Sequence, residues 1–216
     1  ADVAENRASM ADFIAQLSDE NLACIIRGEG MSSPKVTPGT ASCFGGVTEE
    51  LKNFGIPCVC CADGPAGIRM DCGTKAFSIP NGTLLASTFN KELIFELFTF
   101  FGLEAAYHKV DCMLGPGMNL HRHPLNGRNF EYFSEDPYLT GTMASAELKG
   151  FHSAGVTGTI KHFVGNDQES GRHTSDSVIS ERALREIYIK AFEIVVKESD
   201  VWAVMTAYNI INGTYT

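Results

Sequence analysis

No apolar run in this sequence is long enough to cross a bilayer, and no basic segment followed by an apolar one opens it. A membrane-spanning helix needs about 20 apolar residues, and a secretory leader has that two-part opening, so the sequence predicts neither. Basic residues are also in deficit, with 17 Lys and Arg against 26 Asp and Glu and a net charge of −9. Because nucleic acids and anionic membranes attract basic surfaces, we expect neither as a partner. A neutral or cationic substrate is easier to reconcile with this balance.

We do not interpret the seven cysteines as a metal site. Cys58, Cys60 and Cys61 crowd a short apolar run that is typical of a buried strand. Zinc is the alternative to buried thiols, but Cys60 and Cys61 are adjacent, which does not suit a tetrahedral site. We interpret the cysteines as reduced core thiols, expect no metal, and favour a cytoplasmic location. A leader or an upstream domain removed before Ala1 would leave the same sequence.

A phosphate-cradling glycine loop is also missing. Gly115-Pro116-Gly117 lacks the remaining glycine of the dinucleotide fingerprint, and we therefore expect no cofactor. The sequence contains no short internal repeat and no low-complexity segment. At 216 residues it is long enough to bury a sizeable core, and we expect a single domain over residues 1–216.

The apolar pattern predicts helices that alternate with short strands. Strands are predicted at residues 56–61, 84–86, 110–114, 156–163 and 200–207. Helices are predicted within residues 5–27, around 48–54, from 90 onward, over 137–150 and from 180 onward. The helix that Asn90 caps is expected to bury one face, formed by Leu93, Leu97, Phe101 and Ala105. The last helix is expected to bury Leu184, Ile187, Tyr188, Ala191 and Val195. Residues 28–46 and 164–178 read as loops.

Polar residues gather just after the predicted strands, at Asp63, Arg128, Lys161-His162 and residues 205–209. The strand–loop–helix order implies right-handed crossovers and a parallel sheet. In a β/α barrel the carboxyl ends of the strands converge on one mouth, whereas an open doubly wound sheet concentrates its ligand at one switch point. Four separate clusters favour the barrel. The predicted fold class is therefore α/β, a (β/α)8 TIM-type barrel.

The stretch from Gly115 to Pro137 (GPGMNLHRHPLNGRNFEYFSEDP) has no hydrophobic period and is rich in His, Arg, acidic and aromatic residues. A long polar loop inside a compact domain is usually functional or disordered, and its aromatic residues argue against disorder. Sugars are bound by groups that hydrogen-bond hydroxyls and by aromatic faces that cover the ring. The Asp63 carboxylate can accept two hydroxyl protons, and Lys161, Arg69 and Arg128 can donate.

Each of these residues also has a purely structural interpretation. Arg128 with Glu131 or Asp136 could be an ion pair that holds the loop, and Asp63 before Gly64-Pro65 could nucleate a turn. Lys161-His162 is harder to explain in that way, because charges that close a buried strand need partners. Met205 and Tyr208 are residues that commonly fill a core. Glu135 and Asp136 are expected to cap the next helix, and the remaining histidines form no metal-ligand pattern.

Four runs carry a family resemblance: Asp63 to Arg69 (DGPAGIR), residues 127–137 (GRNFEYFSEDP), residues 161–163 (KHF) and residues 205–209 (MTAYN) followed by Asn212-Gly213. In this order they resemble the β-glucosidase/β-xylosidase branch of glycoside hydrolase family 3, from about residue 55 onward. The resemblance implies a barrel that is incomplete in this chain, with a mouth that holds one glycosyl unit. It implies that Asp63 grips hydroxyls on the far side of the sugar and that Arg69, Arg128, Lys161 and His162 hold the neighbouring hydroxyls. It places Met205 and Tyr208 near the anomeric carbon.

Retaining glycosidases need two carboxyl groups about 5–5.5 Å apart, one as nucleophile and one as acid/base. By resemblance the nucleophile is an Asp that would fall beyond Thr216, and the acid/base comes from another domain. We therefore expect no catalytic residue in this chain. We expect it to work with the remainder of the barrel and a second domain, from a longer chain or a partner chain, on a β-linked glucoside or short oligosaccharide.

Three alternatives stay open on the sequence. The chain could be a sugar-binding fragment that kept the pocket without the chemistry, or its specificity could be that of a β-xylosidase. An unrelated barrel enzyme acting on phosphorylated metabolites would need a phosphate site near the last strands of the barrel. The sequence contains no such site.

Overall fold

The computed structural model describes residues 2–216 as a six-stranded mixed sheet with helices against it and a separate three-stranded sheet. The strands are β1 (Glu29–Gly30), β2 (Ser42–Gly45), β3 (Cys58–Ala62), β4 (Cys112–Met113), β5 (Thr157–Phe163), β6 (Asp176–Ser177), β7 (Ala203–Thr206), β8 (Ile210–Ile211) and β9 (Thr214–Tyr215). The larger sheet has the order β1-β2-β3-β4-β5-β7 and the smaller one β6-β8-β9. The helices are α1 (Met10–Ile14), α2 (Asp19–Arg27), α3 (Glu49–Asn53), α4 (Gly82–Ala86), α5 (Lys91–Tyr107), α6 (Pro137–Ser153), α7 (Glu181–Ala183) and α8 (Lys190–Glu198).

Strands β3, β4, β5 and β7 run parallel to one another, and helices α5, α6 and α8 lie in the connections between them. Helix starts follow the predicted chemistry, since Asn90 caps α5 and Asp136 caps α6 directly before Pro137. This α/β part confirms the predicted fold class as an incomplete, half-barrel arrangement.

The expected parallel sheet is confirmed for β3, β4, β5 and β7, but β1 and β2 extend it in antiparallel fashion. The predicted loop over residues 28–46 contains β1 and β2, which pair with each other and with β3 in antiparallel fashion. Antiparallel neighbours need no crossover helix, so two short strands can join the edge directly. The chain after β2 passes close to the residue before Pro57, and only glycine fits at position 46, because a Cβ there would lie 2.0 Å from the Ile56 carbonyl oxygen. The predicted loop over 164–178 likewise ends in the two-residue strand β6.

Residues 84–86, predicted as a strand, form part of helix α4 instead. The Asn81 side chain caps this helix by accepting a hydrogen bond from the Leu84 backbone N–H at 2.9 Å. Leu85 and Ala86 are buried, and Leu84 faces solvent. A run of three apolar residues cannot distinguish a helical turn from a strand by period, and the cap three residues upstream decides it.

The buried face of α5 lies about one position away from the predicted one. Phe101 and Ala105 are buried as expected, but Ile94 and Phe98 are buried where Leu93 and Leu97 were predicted. Apolar side chains surround almost the whole of this helix, so its sequence alone does not select a face. Packing against α6 selects the buried face: Phe98 of α5 and Phe151 of α6 form an edge-on pair with ring centroids 5.3 Å apart.

The last predicted helix is interrupted rather than continuous. Ser180 caps α7 as predicted, a π-helical turn follows over Leu184–Tyr188, and α8 then continues. Ala191 and Val195 are buried, whereas Leu184, Ile187 and Tyr188 are only half-buried. Between residues 2 and 216 no helix is long and apolar enough to span a membrane.

Candidate functional site

A carboxylate and an ammonium group meet where two parallel strands end. Asp63 directly follows β3, Lys161 lies in β5, and Lys161 Nζ donates to Asp63 Oδ1 at 2.8 Å. The Lys161 side chain is only 3% exposed, whereas that of Asp63 is 39% exposed. Burial acts to raise the pKa of Asp63, but the charge of Lys161, the Gly64 N–H and the charge of Arg128 outweigh it and lower the pKa. Asp63 is therefore ionised, with its carboxylate partly exposed to water.

The start of the polar stretch runs alongside Lys161 and holds it in place. The Lys161 N–H donates to the Pro116 carbonyl at 3.1 Å, and the Met118 N–H donates to the Lys161 carbonyl at 2.8 Å. On its other side Lys161 is in register with Met205 of β7. Lys161 is thus fixed from both sides of β5, which places Met205, half-buried, next to it.

His162 is buried and neutral. Its backbone N–H donates to Asn119 Oδ1 at 2.9 Å, and Asn119 Nδ2 donates to the His162 carbonyl at 2.8 Å. Ring atom Nδ1 lies 3.2 Å from the same Asn119 oxygen, which can only accept, so we assign the ring proton to Nδ1 and acceptor character to Nε2. Burial, followed by the charges of Arg128 and Lys161, lowers the pKa of His162 to about 2.

Arg128 forms one of the ion pairs predicted for it and also lies at the site. Its Nε pairs with Glu131, which confirms one of the two predicted ion pairs, and its Nη1 lies 3.9 Å from Glu169 Oε1. Asp136 instead caps α6 by accepting from the Tyr138 N–H at 2.8 Å. The charge of Arg128 nevertheless lowers the pKa of both Asp63 and His162. The Arg128 guanidinium carbon lies 5.9 Å from the centre of the Tyr132 ring, and the Tyr132 hydroxyl lies 3.4 Å from His162 Nδ1, so Arg128 and His162 share one side of the molecule.

Arg69 occupies the exposed edge of the site. Its guanidinium grips Asp71 with two contacts, Nε to Oδ1 at 3.0 Å and Nη2 to Oδ2 at 2.9 Å. Its backbone N–H donates to the Asp63 carbonyl at 2.8 Å, and both side chains line one cavity of about 100 Å³. The predicted turn also forms here, because Gly64 has a φ of 117° and a Cβ there would lie 1.8 Å from the Gly67 oxygen. Asp63 therefore lies between the end of β3 and the turn, and it carries the carboxylate of the site.

Tyr208 is not a core residue. It is 51% exposed, and its ring is covered by Arg172, whose guanidinium carbon lies 4.8 Å from the ring centroid. His173 lies against the same ring at 4.5 Å between centroids. The structure thus brings Tyr208, from after β7, to the loop that follows β5.

Several residues at the site escaped the sequence prediction. They are Asn119, Tyr132, Asn166, Glu169 and Arg172. The one available signal was the density of polar groups in the loop from Asn166 to Arg172. Its Glu169 and Arg172 have the i, i+3 spacing at which opposite charges meet within one helical turn.

The charges of the site balance. Asp63, Glu131 and Glu169 are matched by Lys161, Arg128 and Arg172, and His162 is neutral. A site with many directed donors and acceptors and no net charge suits a neutral polyhydroxyl ligand better than an anion. Within residues 2–216 no group of three or more His, Cys, Asp or Glu side chains has the arrangement of a metal site.

The family model described as the glycosyl hydrolase family 3 N terminal domain matches residues 5–215. The chain belongs to glycoside hydrolase family 3. The family match extends to the antiparallel part before residue 55, which the motifs alone did not cover.

Individual family 3 relatives resemble the chain over its whole length. A β-glucosidase of Ruminococcus albus is 66% identical over 216 residues, which cover all of this chain and 23% of the relative. A crystal structure of a β-glucosidase from Paenibacillus barengoltzii superposes with a TM-score of 0.95 at 59% identity, over 99% of this chain and 23% of that one. A β-glucosidase of Thermotoga neapolitana, solved in complex with α-D-glucose, has a TM-score of 0.86 at 42% identity, over 96% of this chain and 30% of that one.

The chain therefore spans about a quarter of the length of the curated relatives it matches. The family 3 fold of these residues is shown by both comparisons.

Proposed function

We propose that this chain supplies the sugar-holding side of a retaining β-glucosidase, which removes terminal β-D-glucosyl residues from a β-glucoside or short oligosaccharide. The observation that carries the proposal is the convergence of Asp63, Lys161, Arg128 and His162 at one end of the parallel strands. The β-glucosidase names of the relatives support the reaction, and the glucose complex of the Thermotoga neapolitana relative supports the sugar.

Each residue then has a role that its surroundings permit. The Asp63 carboxylate, partly exposed and ionised, accepts protons from sugar hydroxyls, while Lys161 and Arg128 donate hydrogen bonds to neighbouring oxygens. His162 is a neutral imidazole, and its Nε2 can accept a hydrogen bond from a sugar hydroxyl. Arg69 holds the sugar at the exposed edge, and Met205 and Tyr208 line the side nearest the anomeric carbon.

The two carboxyl groups of the reaction are proposed to come from polypeptide outside these 216 residues. Each carboxylate of the site is already held by a cation: Asp63 by Lys161, Glu131 by Arg128 and Glu169 by Arg172. A nucleophile must approach the anomeric carbon, and an acid must be protonated at working pH. Cation-bound carboxylates suit neither role, so the remainder of the barrel and a second domain are the proposed source of both.

The test is hydrolysis of an aryl β-glucoside by the full-length protein that contains this chain. Asp63→Ala should lower kcat/KM by about 100-fold or more, because two hydroxyl hydrogen bonds to a charged group are lost. Asp2→Ala is the matched control, since Asp2 is also an ion-paired Asp but lies on the exposed surface. Wild-type rates in the Asp63 variant would contradict the proposal. Comparison with an aryl β-xyloside decides between glucosidase and xylosidase specificity.

A further inference from the structure

We propose that Glu169 is a positioning residue for the sugar site, holding Arg128 and Arg172 with its carboxylate and reaching His162 through Asn166 and Tyr132. The inference rests on the proposed function, because it concerns the geometry of that same site. Glu169 lies in the loop after β5 and belongs to none of the motifs that carried the sequence prediction.

Both oxygens of Glu169 are occupied by protein groups. Oε1 accepts a hydrogen bond from Asn166 Nδ2 at 3.1 Å and lies 3.9 Å from Arg128 Nη1. Oε2 accepts from Arg172 Nη1 at 2.9 Å. A carboxylate engaged in this way orients the groups around it, and those groups, rather than the carboxylate itself, are left to contact a ligand.

The first arm of the network leads to His162. Asn166 Nδ2 donates to the Tyr132 hydroxyl at 3.0 Å as well as to Glu169, and that hydroxyl lies 3.4 Å from His162 Nδ1. Asn166, Tyr132 and His162 are all buried. Burial raises the pKa of Tyr132 above its ordinary value, so the phenol keeps its proton. Glu169 is thus linked to the imidazole by a buried chain of neutral hydrogen-bonding groups.

The second arm leads to Tyr208. Arg172, held by Glu169, lies over the Tyr208 ring at 4.8 Å, a cation–π arrangement. Arg128, His162 and Tyr208 follow or end three different strands, β4, β5 and β7. One side chain from a single loop therefore sets the relative positions of site residues that come from three strand ends.

Charge gives Glu169 a second effect. Arg128 and Arg172 both lower the pKa of His162. Without Glu169, Arg172 would lose the carboxylate with which it pairs, and repulsion between Arg128 and Arg172 would favour separation of the two guanidinium groups. The Glu169 side chain is 25% exposed, so water can reach the space that its removal leaves, and we expect the fold to tolerate the change.

The experiment uses the full-length protein, with D-glucose as the bound probe and an aryl β-glucoside as the substrate. Glu169→Ala should raise the dissociation constant of glucose by roughly 10- to 100-fold, the usual effect of losing hydrogen bonds to a charged group. Glu169→Gln keeps the size of the side chain and should weaken binding nearly as much, because the charge is lost. Glu181→Ala removes an exposed glutamate that pairs with Arg185 and should leave the affinity unchanged.

A double-mutant cycle separates positioning from a general loss of structure. In an Arg128→Ala background Glu169→Ala should weaken glucose binding much less than it does in the wild type, because one of the groups it positions is gone. In an Arg69→Ala background the full effect should remain, since Arg69 is held by Asp71 instead. Equal effects in both backgrounds, or a lower Tm with unchanged glucose affinity, would overturn the inference.

The same measurements distinguish this inference from the proposed function. A wild type that hydrolyses the aryl glucoside, with a Glu169→Ala variant of unchanged glucose affinity, overturns the positioning role alone. A wild type that neither binds glucose nor hydrolyses the substrate overturns both.

Discussion

The candidate site has an inner half formed by Asn119, Tyr132, Lys161 and His162, and an outer half formed by Arg69, Asp71 and Tyr208. Every inner side chain is at least 95% buried and bonded to residues far away in the chain. The Arg69–Asp71 pair joins residues two positions apart, and the side chains of the outer half are largely exposed. Tertiary packing therefore sets the geometry of the inner half, whereas local contacts mainly hold the outer half.

Electrostatics separates the halves in the same way. In the inner half, burial raises the pKa of Tyr132 and lowers the pKa of His162 to about 2, because little water is present there to solvate a charge. Outer charges face solvent, where ion pairs contribute little to stability. Mutations should therefore affect the inner half strongly and the outer half weakly.

The largest effect is expected for Lys161→Met. Loss of the ammonium removes a hydrogen-bond donor to the sugar and the partner of Asp63, so kcat/KM of the full-length protein should fall by about 100-fold or more. Stability should fall by no more than about 2 kcal/mol, because Asp63 is partly exposed and water can replace the lost partner. Steady-state kinetics and urea denaturation measure the two quantities. Unchanged kinetics would show that the inner half does not hold the sugar.

The next largest effect is on pH dependence. The pKa of Asp63 is below its ordinary value of 3.8, so its ion pair stabilises the fold fully above that value and is lost as the pH falls through the lowered pKa. In Lys161→Met the charge and the hydrogen bond of Lys161 no longer lower that pKa, so glucose affinity should begin to fall at a higher pH than in the wild type. His162 should remain neutral between pH 5 and pH 8 in both proteins. A pH titration of the glucose dissociation constant tests this, and identical profiles would contradict it.

Tyr132→Phe should have an intermediate effect. The change removes one hydroxyl that contacts both Asn166 and His162 and leaves the aromatic packing intact. We expect a stability loss of about 1–2 kcal/mol, typical of a buried hydrogen bond that is lost with its partner left in place. Tyr138→Phe is the control, because the Tyr138 side chain is exposed. Equal urea midpoints for the two variants would show that the Tyr132 hydroxyl adds nothing to the stability of the inner half.

The smallest effect is expected for Asp71→Asn in the outer half. Stability should change by about 0.5 kcal/mol or less, because the Arg69–Asp71 pair is exposed. Glucose binding should weaken only a few-fold, since Arg69 keeps its charge and loses only the group that orients it. Calorimetry with glucose measures this change. A loss as large as that of Lys161→Met would show that the outer half is as strongly constrained as the inner one.

The site residues that the sequence predicts best are the charged and polar residues at the end of an apolar strand. Asp63 and Lys161-His162 were found because charged residues that close a buried strand need partners, and the structure provides those partners. Sequence reasoning failed for Glu169 and Asn166, whose meaning depends on what lies across the loop. It also failed for the buried face of α5 and for residues 84–86, where several arrangements bury apolar residues equally well.

The sequence by itself determined the order of the four parallel strands and of the long helices between them, the residue types at the strand ends and the family to which they belong. Only the tertiary structure decided that β1 and β2 extend the sheet in antiparallel fashion, that α5 packs through Phe98, and that Glu169 joins Arg128 to Arg172. The physical reason is the distance along the chain over which each interaction acts. Caps, turns and apolar periods act over a few neighbouring residues, whereas sheet order, helix faces and ion-pair networks depend on which distant segments share one buried space.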